Sequence, residues 1–186
     1  ERIAEQEGVL RQQWRGVGAE METLERHVAL RDHRAALAAI GEALHASDAA
    51  DDLRQVAAIG HRVVHGGETF QAPTLINDEV VAAIRNLIPL APLHNPSNLM
   101  GIELFREMFT GVPQVAVFDT AFHQTMPPRA YRYALPQEMY TQHHVRRYGF
   151  HGTSHAFVAK RAAQYLGRSL ESLKLITLHL GNGASA

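Results

Sequence analysis

Several places in the chain hold residue types that could bind and move charged groups: Arg62, His94, Asp119, His151, and the turn Gly181-Asn182-Gly183 with His179 before it and Ser185 after it. A guanidinium keeps its charge and needs an anionic partner when partly buried. Arg62 therefore reads either as half of an ion pair, with Glu68 nearby, or as an anion-binding group. Asp119 ends the apolar run Val115-Ala116-Val117-Phe118, and reads as the cap of the next turn or as a carboxylate at a sheet edge. Gly-Asn-Gly suits a type I′ hairpin turn, and it equally lets backbone amides approach an anion. All of these fall where elements end, which suits one cleft assembled from several edges.

The chain contains 12 histidines. His61 with His65, and His151 with His155, have the i, i+4 spacing of metal ligands on a helix. The second pair has Gly152 where H-E-x-x-H requires Glu, and the first lies on an expected strand, where four residues span about 13 Å. Zinc is the weaker reading of both. Neither G-x-x-x-x-G-K-[ST] nor G-x-G-x-x-G occurs, so a P-loop and a dinucleotide fingerprint are unsupported.

The elements that must carry these residues alternate between helix and strand. Apolar spacing from Met21 to Leu44 predicts an amphipathic helix, followed by an acidic stretch from Ser47 to Asp52. A strand runs from Val56 through Val64 and opens into Gly66-Gly67. Asn77 caps a helix through Ile88, ended by Pro89 and Pro92. A helix from Leu99 to Phe109 stops at Gly111, and Val115 to Phe118 form a buried strand. The Pro-, Tyr- and Arg-bearing segment from Ala121 to Tyr148 reads as a functional loop or an interdomain connection. Thr153 or Ser154 caps a helix closed by Gly167, and Leu175 to Leu180 form the last strand.

Composition bounds the rest. At 186 residues with 46% hydrophobic side chains the chain can build a real core, and a net charge of −1 argues against a nucleic-acid groove or a polybasic membrane surface. There is no Cys, hence no disulfide and no thiolate chemistry. No apolar run approaches the roughly 20 residues of a membrane span, and Glu1 to Glu5 do not read as a signal peptide; both point to the cytoplasm. The abrupt start, and the stop just after an apolar strand, read as an internal piece of a longer protein.

Five blocks in register carry a resemblance: Gly60-His61-Arg62-Val63-Val64-His65-Gly66-Gly67-Glu68, Pro92-Leu93-His94-Asn95-Pro96, Phe118-Asp119-Thr120-Ala121-Phe122-His123, Tyr148-Gly149-Phe150-His151-Gly152-Thr153-Ser154-His155, and His179-Leu180-Gly181-Asn182-Gly183-Ala184-Ser185. In these the chain resembles the acetate kinase family, within the acetate and sugar kinase/actin superfamily. The resemblance implies an α/β, actin-like (ribonuclease H-like) fold present in part: a partial first domain over 1–120, then an interdomain segment and the beginning of the second over 121–186. It implies reversible phosphoryl transfer from ATP to acetate, with Mg2+, in a homodimer. Arg62 would bind the carboxylate or acyl phosphate, and Val64, Leu93 and Phe150 would wall the methyl group. Asp119 would be the essential carboxylate and His151 would stabilise the transition state. His94 would be a secondary active-site residue, and His179, Leu180, Gly181, Asn182 and Gly183 would meet the ATP phosphates.

Acetate has no proton to lose at neutral pH and needs no general base. The resemblance therefore favours Asp119 as a positioner of the magnesium complex, directly or through water, with Arg62 and His151 offsetting repulsion between two anions. A propionate or other short-chain carboxylate kinase is the close alternative, since one methylene in an apolar pocket is worth only about 1 to 3 kcal/mol. A non-catalytic piece that folds or binds phosphate without turnover is the other, and for these 186 residues alone little or no activity is expected.

Overall fold

The computed structural model describes residues 8–15, 20–46 and 56–186. The acidic stretch from Ser47 to Asp52 and the first seven residues lie outside the described residues. The chain divides into two compact units, one of the described residues up to Ile59 with Glu103–Val112, the other of Gly60–Ile102 with Pro113–Ala186.

In the first unit, β1 (Gly8–Arg15) pairs antiparallel with β2 (Met21–Val28), Gly8 opposite Val28 and Arg15 opposite Met21. The helix expected from Met21 to Leu44 is thus two elements, β2 and α1 (His33–Ala46). Met21, Leu24 and Val28 carry helical spacing, but pairing with β1 decides the conformation, a tertiary override of a local pattern. Cross-strand Arg11 and Glu25 form an exposed ion pair at 2.8 Å. Asp32 starts α1 by accepting from the amide of Ala35 at 2.7 Å. Leu30, Ala36, Ala43 and Leu104 are buried.

The second unit holds a three-stranded sheet in the order β3 (Ile59–Val63), β5 (Gln114–Phe118), β4 (Thr74–Leu75), with β4 antiparallel to β5. Along β5 the buried positions alternate, Gln114, Ala116 and Phe118 facing inward. Phe118 stacks on Phe70 with ring centroids 4.3 Å apart, and Val63, Val80, Val81, Ile84, Leu99 and Ile102 complete the core. Asn77 caps α2 (Asp78–Asn86), accepting from the amide of Val80 at 2.9 Å. The helix after the prolines, α3 (Asn95–Met108), begins at Asn95 rather than Leu99. Two short helices follow, α4 (Pro128–Tyr131) and α5 (Gln137–Thr141).

The next helix, α6 (Gly152–Leu166), differs from expectation at its start. Its N-cap is His151 in the left-handed region, φ 54°, while Thr153 and Ser154 lie within the first turn. Its end conforms, with Gly167 at φ 62°. The expected strand from Leu175 to Leu180 shrinks to β6 (His179–Leu180), paired with β7 (Ala184–Ser185). Leu175 to Leu178 have no strand partner among the described residues, and Ile176 is 89% exposed. An apolar run becomes a strand only where a ladder can accept it. The Gly181-Asn182-Gly183 turn joins β6 to β7 without any positive φ, so it is a hairpin turn but not of type I′.

Candidate active site

The carboxyl ends of β3 and β5 lie side by side, with the amide of Asp119 donating to the carbonyl of Val63 at 2.9 Å. That adjacency delivers Arg62 and Asp119 to each other. Arg62 Nε donates to Oδ1 of Asp119 at 3.0 Å, and Nη2 donates to Oδ2 at 2.7 Å, a two-point grip. Asp119 is almost fully buried whereas the Arg62 side chain is 62% exposed. The hydrogen bonds it donates to Asp119 hold the Arg62 pKa above its ordinary value. Glu68, the partner weighed for Arg62 from sequence, pairs instead with Arg146.

The backbone leaving β3 is satisfied by side chains that sequence reasoning left without a role. Asn95 Oδ1 accepts from the amide of His65 at 3.1 Å while its Nδ2 donates to the carbonyl of His65, and Asn98 Oδ1 accepts from the amide of Val64 at 3.0 Å. The i, i+3 spacing of these two Asn on the first turn of α3 was the available signal. Thr120 Oγ1 accepts from the amide of Gly66 at 3.0 Å, and Gln124 Nε2 donates to the carbonyl of Gly67 at 2.8 Å. Gly66 could carry no side chain, because a Cβ there would sit 2.7 Å from the ring of Phe118.

Around the pair opens a cleft of about 880 Å³. Val64, Leu93 and Phe150 give it an apolar wall, and His94, His151 and Gly183 also line it. A neighbouring recess of about 350 Å³ is lined by Arg62, Asp119, His151, Ser154 and His179. Arg62, Asp119 and His151 therefore face both spaces. Leu180, Gly181 and Asn182 line neither, and Leu180 is largely exposed.

His151 stacks on His179, ring centroids 4.0 Å apart and planes at 13°. Burial lowers the His151 pKa, and His179 lowers it further. His151 Nδ1 lies 2.9 Å from Ser185 Oγ, and His179 Nδ1 lies 2.9 Å from Ser154 Oγ. The left-handed backbone at His151 is a conformation that non-glycine residues adopt at a cost. It is held by the amide of Gly152 donating to the carbonyl of Asp119 at 3.0 Å.

One wall of the cleft is latched from behind. Arg146 is buried, lies 3.6 Å over the ring of Tyr131, and pairs with Glu68, which also accepts from the hydroxyl of Tyr140 at 2.9 Å. Burial pushes Glu68 up, but Arg146 and Tyr140 outweigh it and leave the carboxyl below its usual pKa. Burial pushes the Tyr148 hydroxyl up to about 12. His65 lies beneath, edge-on to Tyr148 with centroids 4.5 Å apart, its Nδ1 accepting from the amide of Gly67 at 3.0 Å.

The paired histidines weighed for zinc are spent otherwise: His61 bonds Gln114 at 2.8 Å, and His151 and His155 converge on Ser185. Among the described residues no group of three His, Cys, Asp or Glu is placed to hold a metal. The cleft offers one carboxylate, Asp119, with both oxygens already accepting from Arg62. That suits an ion held through water rather than a cage of side chains. No helix among the described residues is long and apolar enough to cross a membrane.

The fold that positions this cleft, α/β and actin-like (ribonuclease H-like) and present here in part, is shared with solved acetate and propionate kinases. The Acetokinase family profile matches residues 1–186, and the chain belongs to that family. It is 55% identical over 171 residues to an acetate kinase of Thermotoga maritima, covering 91% of this chain and 42% of the relative. Against an acetate kinase of Deinococcus radiodurans it is 62% identical over 148 residues, 80% of this chain and 37% of the relative. The structure matches a Porphyromonas gingivalis acetate kinase with TM-score 0.82 at 42% identity, covering 99% of this chain and 46% of that one. It matches a Francisella tularensis propionate kinase with TM-score 0.84 at 37% identity, covering 99% and 45%. The chain thus spans roughly two fifths of the length of these curated relatives.

Proposed function

We propose that the protein these residues belong to is an acetate kinase, transferring the terminal phosphoryl group of ATP reversibly to acetate. The observation that carries this reading is the Arg62–Asp119 pair facing a cleft whose apolar wall is Val64, Leu93 and Phe150. A small carboxylate with one short alkyl group needs a cation for its charged end and a shallow apolar surface for the other. The N–H groups of Arg62 not spent on Asp119 meet the carboxylate, and His94 lies at the same wall.

His151, which lines the cleft together with Arg62 and Asp119, donates to the charge that develops on the transferred group, and Arg62 reduces repulsion between the two anions. His179, Leu180, Gly181, Asn182 and Gly183 are proposed to meet the nucleotide phosphates, with the turn between β6 and β7 bringing backbone amides near them. Asp119 is the residue that would hold the nucleotide's magnesium through water, where the ion neutralises phosphate charge. The same reading includes a homodimer, a cytoplasmic address, and actin-like halves divided near residue 120. Propionate is the alternative acceptor, supported by the match to a propionate kinase. For these 186 residues alone, binding without turnover is the second reading, favoured by their share of the relatives' length.

A coupled assay tests the main reading. The longer protein, supplied with ATP, Mg2+ and acetate, is expected to form acetyl phosphate, trapped as the hydroxamate; no product above a heat-killed control would end it.

A further inference from the structure

His155 is 3% exposed and has no part in the function proposed above, yet both of its ring nitrogens are engaged. Its Nδ1 lies 2.8 Å from Thr177 Oγ1, its Nε2 lies 2.9 Å from Ser185 Oγ, and Ser185 Oγ lies 2.9 Å from Nδ1 of His151. Thr177, His155, Ser185 and His151 are thus one unbranched chain of hydrogen bonds ending at the cleft. A hydroxyl has a single proton and a neutral imidazole a single N–H. The Ser185 oxygen can also accept from both rings at once, so the chain has three complete arrangements with neutral rings. In one, Thr177 donates to His155 Nδ1, His155 Nε2–H donates to Ser185, and Ser185 donates to His151 Nδ1, which leaves a proton on His151 Nε2. In the second every bond reverses, and in the third Ser185 Oγ accepts from both His155 Nε2–H and His151 Nδ1–H; in both of these His151 turns a bare lone pair toward the ligand.

We propose that Ser185, His155 and Thr177 are positioning residues that hold His151 as the Nε2–H tautomer, so that its ring donates to the anionic group in the cleft. The inference rests on the role given to His151 in the proposed function. The Asp119 carboxylate lines the same recess as His151 and favours the positive N–H edge facing it. Close parallel stacking on His179 opposes a doubly protonated ring, so a neutral His151 can donate into the cleft only from Nε2. Gly183 keeps that edge clear: a Cβ there would stand 3.4 Å from Nε2 and 3.3 Å from Cε1 of His151.

The test reads the proton directly. In the protein labelled with nitrogen-15 in its histidine rings, at pH 7.5, long-range proton–nitrogen correlations are expected to show the Nε2–H form of His151. Ser185→Ala is expected to convert this to a mixture of tautomers, and Ser185→Thr to restore the single form. Thr177→Val, nearly isosteric and at the far end of the chain, is expected to raise the minor tautomer, and it carries the test if Ser185→Ala does not fold. An Nδ1–H form in the unsubstituted protein, or spectra unmoved by both Ser185→Ala and Thr177→Val, would overturn the proposal. No turnover enters the measurement, so a failed kinase reading leaves the spectra to stand, and failed spectra leave the kinase assay to stand.

Discussion

Arg62 and Asp119, separated by 57 positions in the chain, meet through two near-parallel hydrogen bonds at the adjoining carboxyl ends of β3 and β5. The aspartate is buried and the arginine half in solvent, so the pair works as a fixed base with an exposed charged head. A guanidinium pinned in this way loses less freedom when a second anion arrives.

On the proposed function, removing either partner is expected to act on turnover as well as on stability. Arg62→Ala in the longer protein is expected to lower kcat about a thousandfold or more, by analogy with other arginines in phosphoryl transfer, and to raise the KM for acetate. In the 186-residue chain it leaves a buried carboxylate without its donor, a cost of about 1–3 kcal/mol or more. Steady-state kinetics and urea unfolding check these separately, and kinetics within threefold of the unsubstituted enzyme would remove Arg62 from the reaction.

On the proposed function, the apolar wall sets the chain length of the acceptor. Val64→Ala opens space beside Leu93 and Phe150, and is expected to shift kcat/KM toward propionate over acetate by about tenfold, within the range of about 1 to 3 kcal/mol per methylene. Rates on acetate, propionate and butyrate measure this. An unchanged ratio would place the methyl group elsewhere.

Burial holds His65 at a pKa of about 4, below its ordinary 6.5. The unfolded chain then takes up this proton first, so the folded state is fully favoured above about pH 6.5 and loses stability as pH falls toward 4. The slope from one such group is at most about 1.4 kcal/mol per pH unit. Burial shifts His61, His123 and His151 in the same direction, which steepens the fall. Urea midpoints between pH 7.5 and 4.5 are expected to drop, and His65→Asn, which keeps an acceptor for Gly67, to flatten the curve. An unaltered slope in that variant would show that His65 does not carry it.

Gly152 is fixed by contact rather than by φ. A Cβ there would strike the carbonyl oxygen of Asp119, the atom that accepts from Gly152's own amide. Gly152→Ala is expected to cost about 1–3 kcal/mol by overpacking and to displace the start of α6 from the end of β5. Thermal melts of the two chains check the first; loss of acetyl phosphate formation in the longer protein checks the second.

The parts of the fold that were legible share one property: local pattern and tertiary partner agree. Val115 to Phe118 form the central strand, Asn77 and Gly167 bound their helices, and Asp119 falls at a sheet edge. Met21 to Val28 were misread because Leu24 and Val28 obey helical spacing while β1 supplies a ladder. Leu175 to Leu178 were misread for the opposite reason, as strand-like residues without a ladder. At the cleft, Arg62, Asp119, His94 and His151 announce themselves by charge or titratable chemistry. Asn95, Asn98 and Thr120 do not, because their task is to satisfy other groups, and that task is visible only once the partners are placed.

The cation sandwich at Arg146 has a consequence for how the molecule breathes. Its guanidinium ties the turn at Glu68 to the rings of Tyr131 and Tyr148, two residues before Phe150. Amide hydrogens from about residue 131 to 148 will therefore exchange together, as one cooperative opening rather than as a fraying loop. When that opening occurs, a side of the apolar wall is lost with it, so a ligand bound there is expected to slow exchange throughout that segment.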